Sequence, residues 1–175
     1  MEKKILLVYK SVTGFTQKYA EMIAQEIDCT LMELKKTTAE TMSGFDTVIY
    51  GGRVHAGTLE GLKDAKKLFQ QSKASQFIVY ATGAIPNAST KTIEEMWSQN
   101  LSPEELLHIP HFYMQGGLAY EKLPLPDKLM MKAFSAMMKK KKDKTEDEKV
   151  MAEAISGSYD ISSKEYIMPL VALLK

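Results

Sequence analysis

The chain has 175 residues, 45% hydrophobic and 26% charged, which is enough for one packed domain of ordinary soluble composition. A formal net charge of +1 implies neither a nucleic-acid field nor an acidic docking surface, so no nucleic-acid partner is expected. A single cysteine, Cys29, excludes an internal disulfide and a cysteine-rich zinc or iron–sulfur site, and is read as a small core side chain.

Lys3 and Lys4 precede a short apolar run, residues 5–9, too short for a signal sequence, and no segment reaches the length of a membrane span. A cytoplasmic location is therefore expected. The run itself reads as a strand covered on both faces. From about Thr16 the period changes, and Tyr19, Met22, Ile23 and Ile27 fall on one helical face. Residues 30–34 read as a second, weaker strand. Residues 45–50 read as a third, broken by Gly51 and Gly52. A helix with Leu62, Ala65, Leu68 and Phe69 on its face follows. A fourth strand spans 76–81 and stops at Thr82 and Gly83, a helix spans 92–99 with Met96 and Trp97, and a fifth strand centres on 112–114. Strands and helices alternating through short connections predict a parallel sheet covered on both faces, in a single domain spanning 1–175.

Between the first strand and the first helix lie Ser11, Val12, Thr13, Gly14, Phe15 and Thr16. In an open parallel sheet, ligands bind beyond the carboxyl ends of the strands. The first N–H groups of a helix have no internal partners and carry the positive end of its dipole, so they favour an anion. Gly14 lets backbone approach closely, and the hydroxyls of Ser11, Thr13 and Thr16 are further donors. With no basic residue before Lys18 and no Gly-Lys-Ser/Thr pattern, a monophosphate held by neutral donors is expected rather than a triphosphate. The alternative is that Ser11 or Thr13 simply caps the helix.

This hydroxyl-x-Thr-Gly-x-Thr stretch resembles the phosphate loop of the flavodoxins. DTVIYGGRVHAG resembles their third strand and the loop on one side of the flavin, and FIVYATGAIPN the fourth strand and the loop on the other side. The resemblance runs in order over residues 1–120. It implies a flavodoxin-like, doubly wound five-stranded parallel sheet of order 2-1-3-4-5 that binds FMN. The ring would lie between Gly51, Gly52, Arg53, Val54, His55, Ala56 and Gly57 on one side and Thr82, Gly83, Ala84, Ile85, Pro86 and Asn87 on the other. No catalytic residue is assigned with certainty. Arg53 and His55 are candidates for tuning the flavin, since a positive group near the ring edge stabilises the reduced anion; the bland reading is an exposed pair. Neither loop offers a Tyr, Trp or Phe side chain, so one flavin face is either lined by His55 or left open, and Tyr50, Tyr80 and Trp97 are expected in the core. His108 and His111 do not have metal-ligand spacing, and no metal site is expected.

After Gly117 the chain is longer than a five-stranded flavodoxin requires, and residues 118–150 are read as a helical insertion. Pro126 and Asp127 start a helix with Leu129, Met130, Ala133, Phe134, Met137 and Met138 on one face and lysines largely off it. Residues 126–142 read either as a surface helix packed on the domain, with the charge run 139–149 solvated, or as a helix that binds peripherally to an acidic membrane surface or in a partner's groove. GGLAYEKLPLPDKLMMKAFSAMM resembles the corresponding region of the flavodoxin-like bacterial protoporphyrinogen oxidases, which implies a porphyrinogen or quinone-type small substrate. The last helix is expected to start near Ser162, with Glu165 in a capping box and Pro169 bending it. The expected function is an FMN oxidoreductase passing electrons between a small molecule and an acceptor. The alternatives are an electron carrier docking to redox partner proteins and a non-catalytic binding domain.

Overall fold

The computed structural model describes residues 3–145, 148–149, 152–153 and 155–175. An apolar strand has two faces to bury, and the structure covers both. β1 (Ile5–Lys10), β2 (Thr30–Glu33), β3 (Thr47–His55), β5 (Gln76–Gly83) and β6 (His111–Gln115) form a parallel sheet of order β2-β1-β3-β5-β6, with β4 (Thr58–Leu59) antiparallel to the end of β3. With the short β4 set aside, this is the expected order 2-1-3-4-5.

Side chains alternate across the sheet with period two. Leu6, Val8, Val48, Tyr50, Val79 and Ala81 face one layer, built from α2 (Ala39–Met42), α3 (Leu62–Gln70) and α4 (Thr90–Asn100) through Met42, Leu62, Ala65, Met96 and Trp97. Ile5, Leu7, Ile49, Ile78 and Tyr80 face the other, where α1 (Phe15–Ala24) contributes Tyr19, Ala20 and Ile23, and the C-terminal segment contributes Ile167, Leu170 and Val171. Each fully buried aliphatic side chain contributes about 2 kcal/mol of transfer free energy, so this alternation dominates the choice of fold.

Several boundaries differ from the sequence reading, each for a local reason. β3 is not broken at Gly51 and Gly52 but runs on to His55, and both glycines pair with β1 and β5. They are there for space: a Cβ on Gly51 would lie 2.0 Å from Tyr80 Cζ, and one on Gly52 2.7 Å from the Glu60 carbonyl oxygen. β5 likewise continues through Thr82 to Gly83. A further helix, α5 (Pro103–His108), starts at a reciprocal cap in which the Glu105 N–H donates to Ser102 Oγ and the Ser102 N–H to Glu105 Oε2. At the C-terminus the cap is Ser163, which opens a 3₁₀ turn at Lys164–Ile167; α7 (Met168–Leu174) then begins with Pro169 in its first turn. Proline lacks only an N–H that has no partner there, so it starts this helix rather than bending it.

The chain divides into two compact units, 1–116 with 162–175, and 117–161. The first holds the sheet and its helices. In the second, β7 (Gly117–Leu118) pairs antiparallel with β8 (Tyr159–Asp160), and between them run a 3₁₀ turn at Tyr120–Lys122 and α6 (Leu125–Lys140). The single apolar face expected on α6 is split: Phe134 and Met138 turn inward with Ser135, while Leu129, Met130 and Met137 are exposed. Within the charge run 139–149, residues 146 and 147 lie outside the described residues. Among the described residues, no helix is long and apolar enough to cross a membrane.

Candidate functional site

The carboxyl ends of β1, β3 and β5 carry the three segments singled out from the sequence. In the first, Gly14 adopts φ 96° and caps α1 without any side-chain bond to the helix. A left-handed residue is needed there to turn the strand into the helix, which only glycine does without strain. Two of the three hydroxyls serve the fold. Ser11 Oγ accepts from the Gln17 N–H at 3.3 Å, and the buried Thr16 Oγ1 lies 2.7 Å from Thr82 Oγ1. Tyr80, pushed to a raised pKa by burial, donates its hydroxyl to the Thr16 carbonyl at 2.9 Å. Among the described residues, no protein group bonds Thr13 Oγ1 or accepts the N–H groups of Phe15 and Thr16. Val12 is exposed, and Phe15 is backed by Gly116, where a Cβ would come 3.0 Å from the ring.

The second segment, 51–57, is a strand and hairpin rather than a loop. Ala56 (φ 47°) and Gly57 (φ 80°) form a two-residue turn of left-handed residues, and β4 returns along Val54 and His55. Arg53 is forked onto Glu60, with Nε to Oε2 at 2.7 Å and Nη2 to Oε1 at 3.2 Å. His55 Nδ1 lies 4.0 Å from Glu60 Oε1. The positive charge assigned to Arg53 is thus met by a carboxylate on the same hairpin. Tyr50, its pKa raised first by burial and then by Glu60 and Asp64, donates to the Glu60 carbonyl.

Asn100, at the end of α4, holds the hairpin from outside. Its Oδ1 accepts the Leu59 N–H at 2.7 Å, and its Nδ2 donates to the carbonyls of Gly57 and Met96 at 2.8 Å each.

The third segment starts at Thr82 and Gly83, still in the sheet, where a Cβ on Gly83 would sit 2.9 Å from the Tyr113 hydroxyl. Ala84 and Pro86 are exposed, Ile85 packs on the core, and the Asn87 N–H donates to Gln115 Oε1 at 3.0 Å. Gln115 is itself buried at the end of β6, and its carbonyl accepts the Tyr19 hydroxyl. Tyr50, Tyr80 and Trp97 are all buried, and Trp97 packs against His111 with centroids 4.9 Å apart. His108 ends α5, and no cluster of metal-binding side chains occurs among the described residues.

The structure therefore brings the three predicted segments to one edge of the sheet and adds Glu60, Asn100 and Gln115, which sequence reasoning missed. Asn100 and Gln115 act on backbone groups far away in sequence, so no local pattern marks them. Glu60, only a few positions past Arg53, was readable as its partner once the two-residue turn was recognised.

The flavodoxin domain family matches residues 6–146 of the chain. No curated protein sequence matches it. Among solved structures, a flavodoxin from the domain Archaea is 15% identical and aligns over 63% of this chain and 84% of its own, with a TM-score of 0.40. A flavoprotein in complex with FMN from Lactobacillus acidophilus NCFM is 18% identical over 65% of this chain and 92% of its own, with a TM-score of 0.42. Oxidised flavodoxin 2 from Bacillus cereus is 19% identical over 63% of this chain and 84% of its own, with a TM-score of 0.40.

Proposed function

Because the chain belongs to the flavodoxin domain family, we propose that it binds FMN noncovalently and acts as an oxidoreductase between a small substrate and an electron acceptor. The observation that carries this reading is the donor set at the start of α1. Among the described residues, two backbone N–H groups, of Phe15 and Thr16, and the Thr13 hydroxyl have no protein partner at a helix end whose dipole favours an anion. A monophosphate is the class of ligand that neutral donors of this number suit. Ser11 and Thr16 shape the cradle from behind, since the helix and β5 already use their hydroxyls.

The ring would be held between the 51–57 hairpin, fixed by Asn100, and the 84–87 segment, fixed by Gln115. When bound, flavin supplies the redox chemistry, taking and returning electrons singly or in pairs. The protein's share is to orient it and to set the charge at its edge, where Glu60 offsets Arg53. Neither segment offers a Tyr, Trp or Phe side chain to cover the ring site, and this favours direct exchange with a small substrate, of porphyrinogen or quinone type, over a shielded electron carrier.

The test is reconstitution with FMN followed by desalting and a visible spectrum. Retained flavin bands support the reading. Thr13→Ala should weaken FMN binding by about tenfold, the worth of one hydrogen bond to a charged group, while leaving the unfolding midpoint unchanged. A colourless protein with no FMN affinity overturns the proposal. Steady turnover with a quinone acceptor then supports the oxidoreductase, whereas electron delivery to protein partners alone assigns the carrier.

A further inference from the structure

The outer face of α6 is what the first site leaves unexplained. Leu125, Leu129, Met130 and Met137 are 69%, 60%, 50% and 59% exposed, and Ala133 between them is exposed too. At 3.6 residues per turn they occupy one continuous side of the helix, opposite Phe134, Ser135 and Met138. A contiguous apolar face of this kind marks an interaction surface rather than scattered exposure.

Its chemistry is set by what borders it. Along one flank, Lys128, Lys132 and Lys139 line a groove of about 620 Å³ whose far wall is Tyr120, Ser156 and Ser158. Glu121 is the one acid of that groove, and it is occupied by Ser158, whose hydroxyl donates to Oε2 at 2.7 Å. Over residues 117–145 there are eight lysines against Glu121, Asp127 and Asp143, and the acids that bring the 117–161 unit to +1 follow this stretch in sequence. Lys141 is paired with Glu148 and the charge of Lys128 acts on Glu121, but among the described residues no carboxylate lies within ion-pair distance of the three groove lysines. An apolar face edged by cations and hydroxyls complements one kind of surface: acyl chains beneath a layer of phosphates.

We propose that α6 docks in the plane of an anionic lipid bilayer, with Leu125, Leu129, Met130 and Met137 entering the headgroup–acyl boundary and Lys128, Lys132 and Lys139 meeting lipid phosphates. α6 has 16 residues and does not span; it lies on the surface. The docking does not depend on the flavin, and it fits a redox protein whose small apolar reactant is dissolved in the bilayer.

The experiment is flotation of the full-length protein with phosphatidylcholine vesicles, with and without phosphatidylglycerol. The expected result is binding only to the vesicles containing phosphatidylglycerol, weakened by high salt. Lys128→Glu with Lys132→Glu should reduce it by about tenfold or more, the worth of two interfacial lysines. Leu129→Gln with Met137→Gln changes exposed positions, so the fold should survive and binding should still fall. No binding to acidic vesicles by the unaltered protein overturns the proposal. So does binding unchanged in both double variants. A concentration-dependent dimer that Leu129→Gln with Met137→Gln dissolves, without vesicle binding, would assign the face to a second copy of the chain and equally overturn it.

Discussion

Arg53 and Glu60 are a residue-scale control on charge at the 51–57 hairpin, which the proposed function sets beside the flavin ring. Their forked contact, at 2.7 and 3.2 Å, leaves little net field. Glu60→Gln keeps the shape and removes the anion, so the guanidinium charge is no longer offset. The midpoint potential of bound FMN should then rise, on the order of tens of millivolts, because a positive charge stabilises the reduced anion. Adding Arg53→Ala should return it close to the starting value. Redox titration of the three proteins checks this, and a potential indifferent to all the changes would place the pair outside the field of the ring. The pair also shows how far one residue can be read from sequence. Arg53 was visible as a candidate because it is a cation in the segment that resembles a flavin-flanking loop. Its neutralisation was not, because that depends on the tight turn at Ala56 and Gly57 folding Glu60 back alongside it.

At the scale of elements, the hairpin β3–β4 is marginal alone, since β4 has two residues. Asn100 holds it to α4 with two hydrogen bonds, from the Leu59 N–H and to the Gly57 carbonyl, and is itself fixed in α4 by a third, to the Met96 carbonyl. Asn100→Ala should cost about 2 kcal/mol in urea unfolding and speed exchange of the Leu59 amide more than of amides in β1. Exchange that changes equally everywhere would show a global loss instead of a loosened hairpin. The elements that were legible in the sequence are those whose signal is local. Buried strands appeared as apolar runs, and α1 and α3 as amphipathic periods. The end of β3 was misread because glycine weakens a strand in isolation; only the Tyr80 ring packed against Gly51 explains why it is needed. α5 was overlooked although its Ser-x-x-Glu start, Ser102 to Glu105, is a readable signal; its six residues are too short to show a period. The face of α6 was read as one stripe because apolar residues occur almost all round it, and pattern alone cannot say which of them turn inward.

For the whole molecule, acid and alkali act on different groups. Glu26 is held below the usual carboxylate range by a hydrogen bond from Lys164, helped by the charge of Lys164 and by Lys175. The folded state therefore binds fewer protons there than the unfolded one. That contribution is complete above the unfolded carboxylate pKa and is lost as pH falls through the lower folded value. Tyr80 is shifted the other way, upward from 10.0, chiefly by burial. Its contribution is complete below the ordinary phenol pKa and is lost as pH rises above it. Urea midpoints measured across pH should fall on both sides of neutrality, and Glu26→Gln should flatten only the acid side. An acid limb unchanged by that substitution would assign it to other carboxylates.

One hydroxyl joins two distant points of the chain. Tyr19 donates to the carbonyl of Gln115 and accepts the N–H of Ser163 at 3.2 Å, so residues on either side of the 117–161 segment meet at one atom. That makes the place a natural graft point. A gene encoding Gly116 joined to Ser162 by a short glycine linker should yield a miniature that folds and keeps its FMN affinity while losing whatever α6 confers. Read forwards in time, the same join means that a nascent chain cannot complete its sheet layer at Gln115. It must wait for α7, so the early product of translation leaves Ile49, Ile78 and Tyr80 partly uncovered, and chaperone dependence should concentrate in that interval.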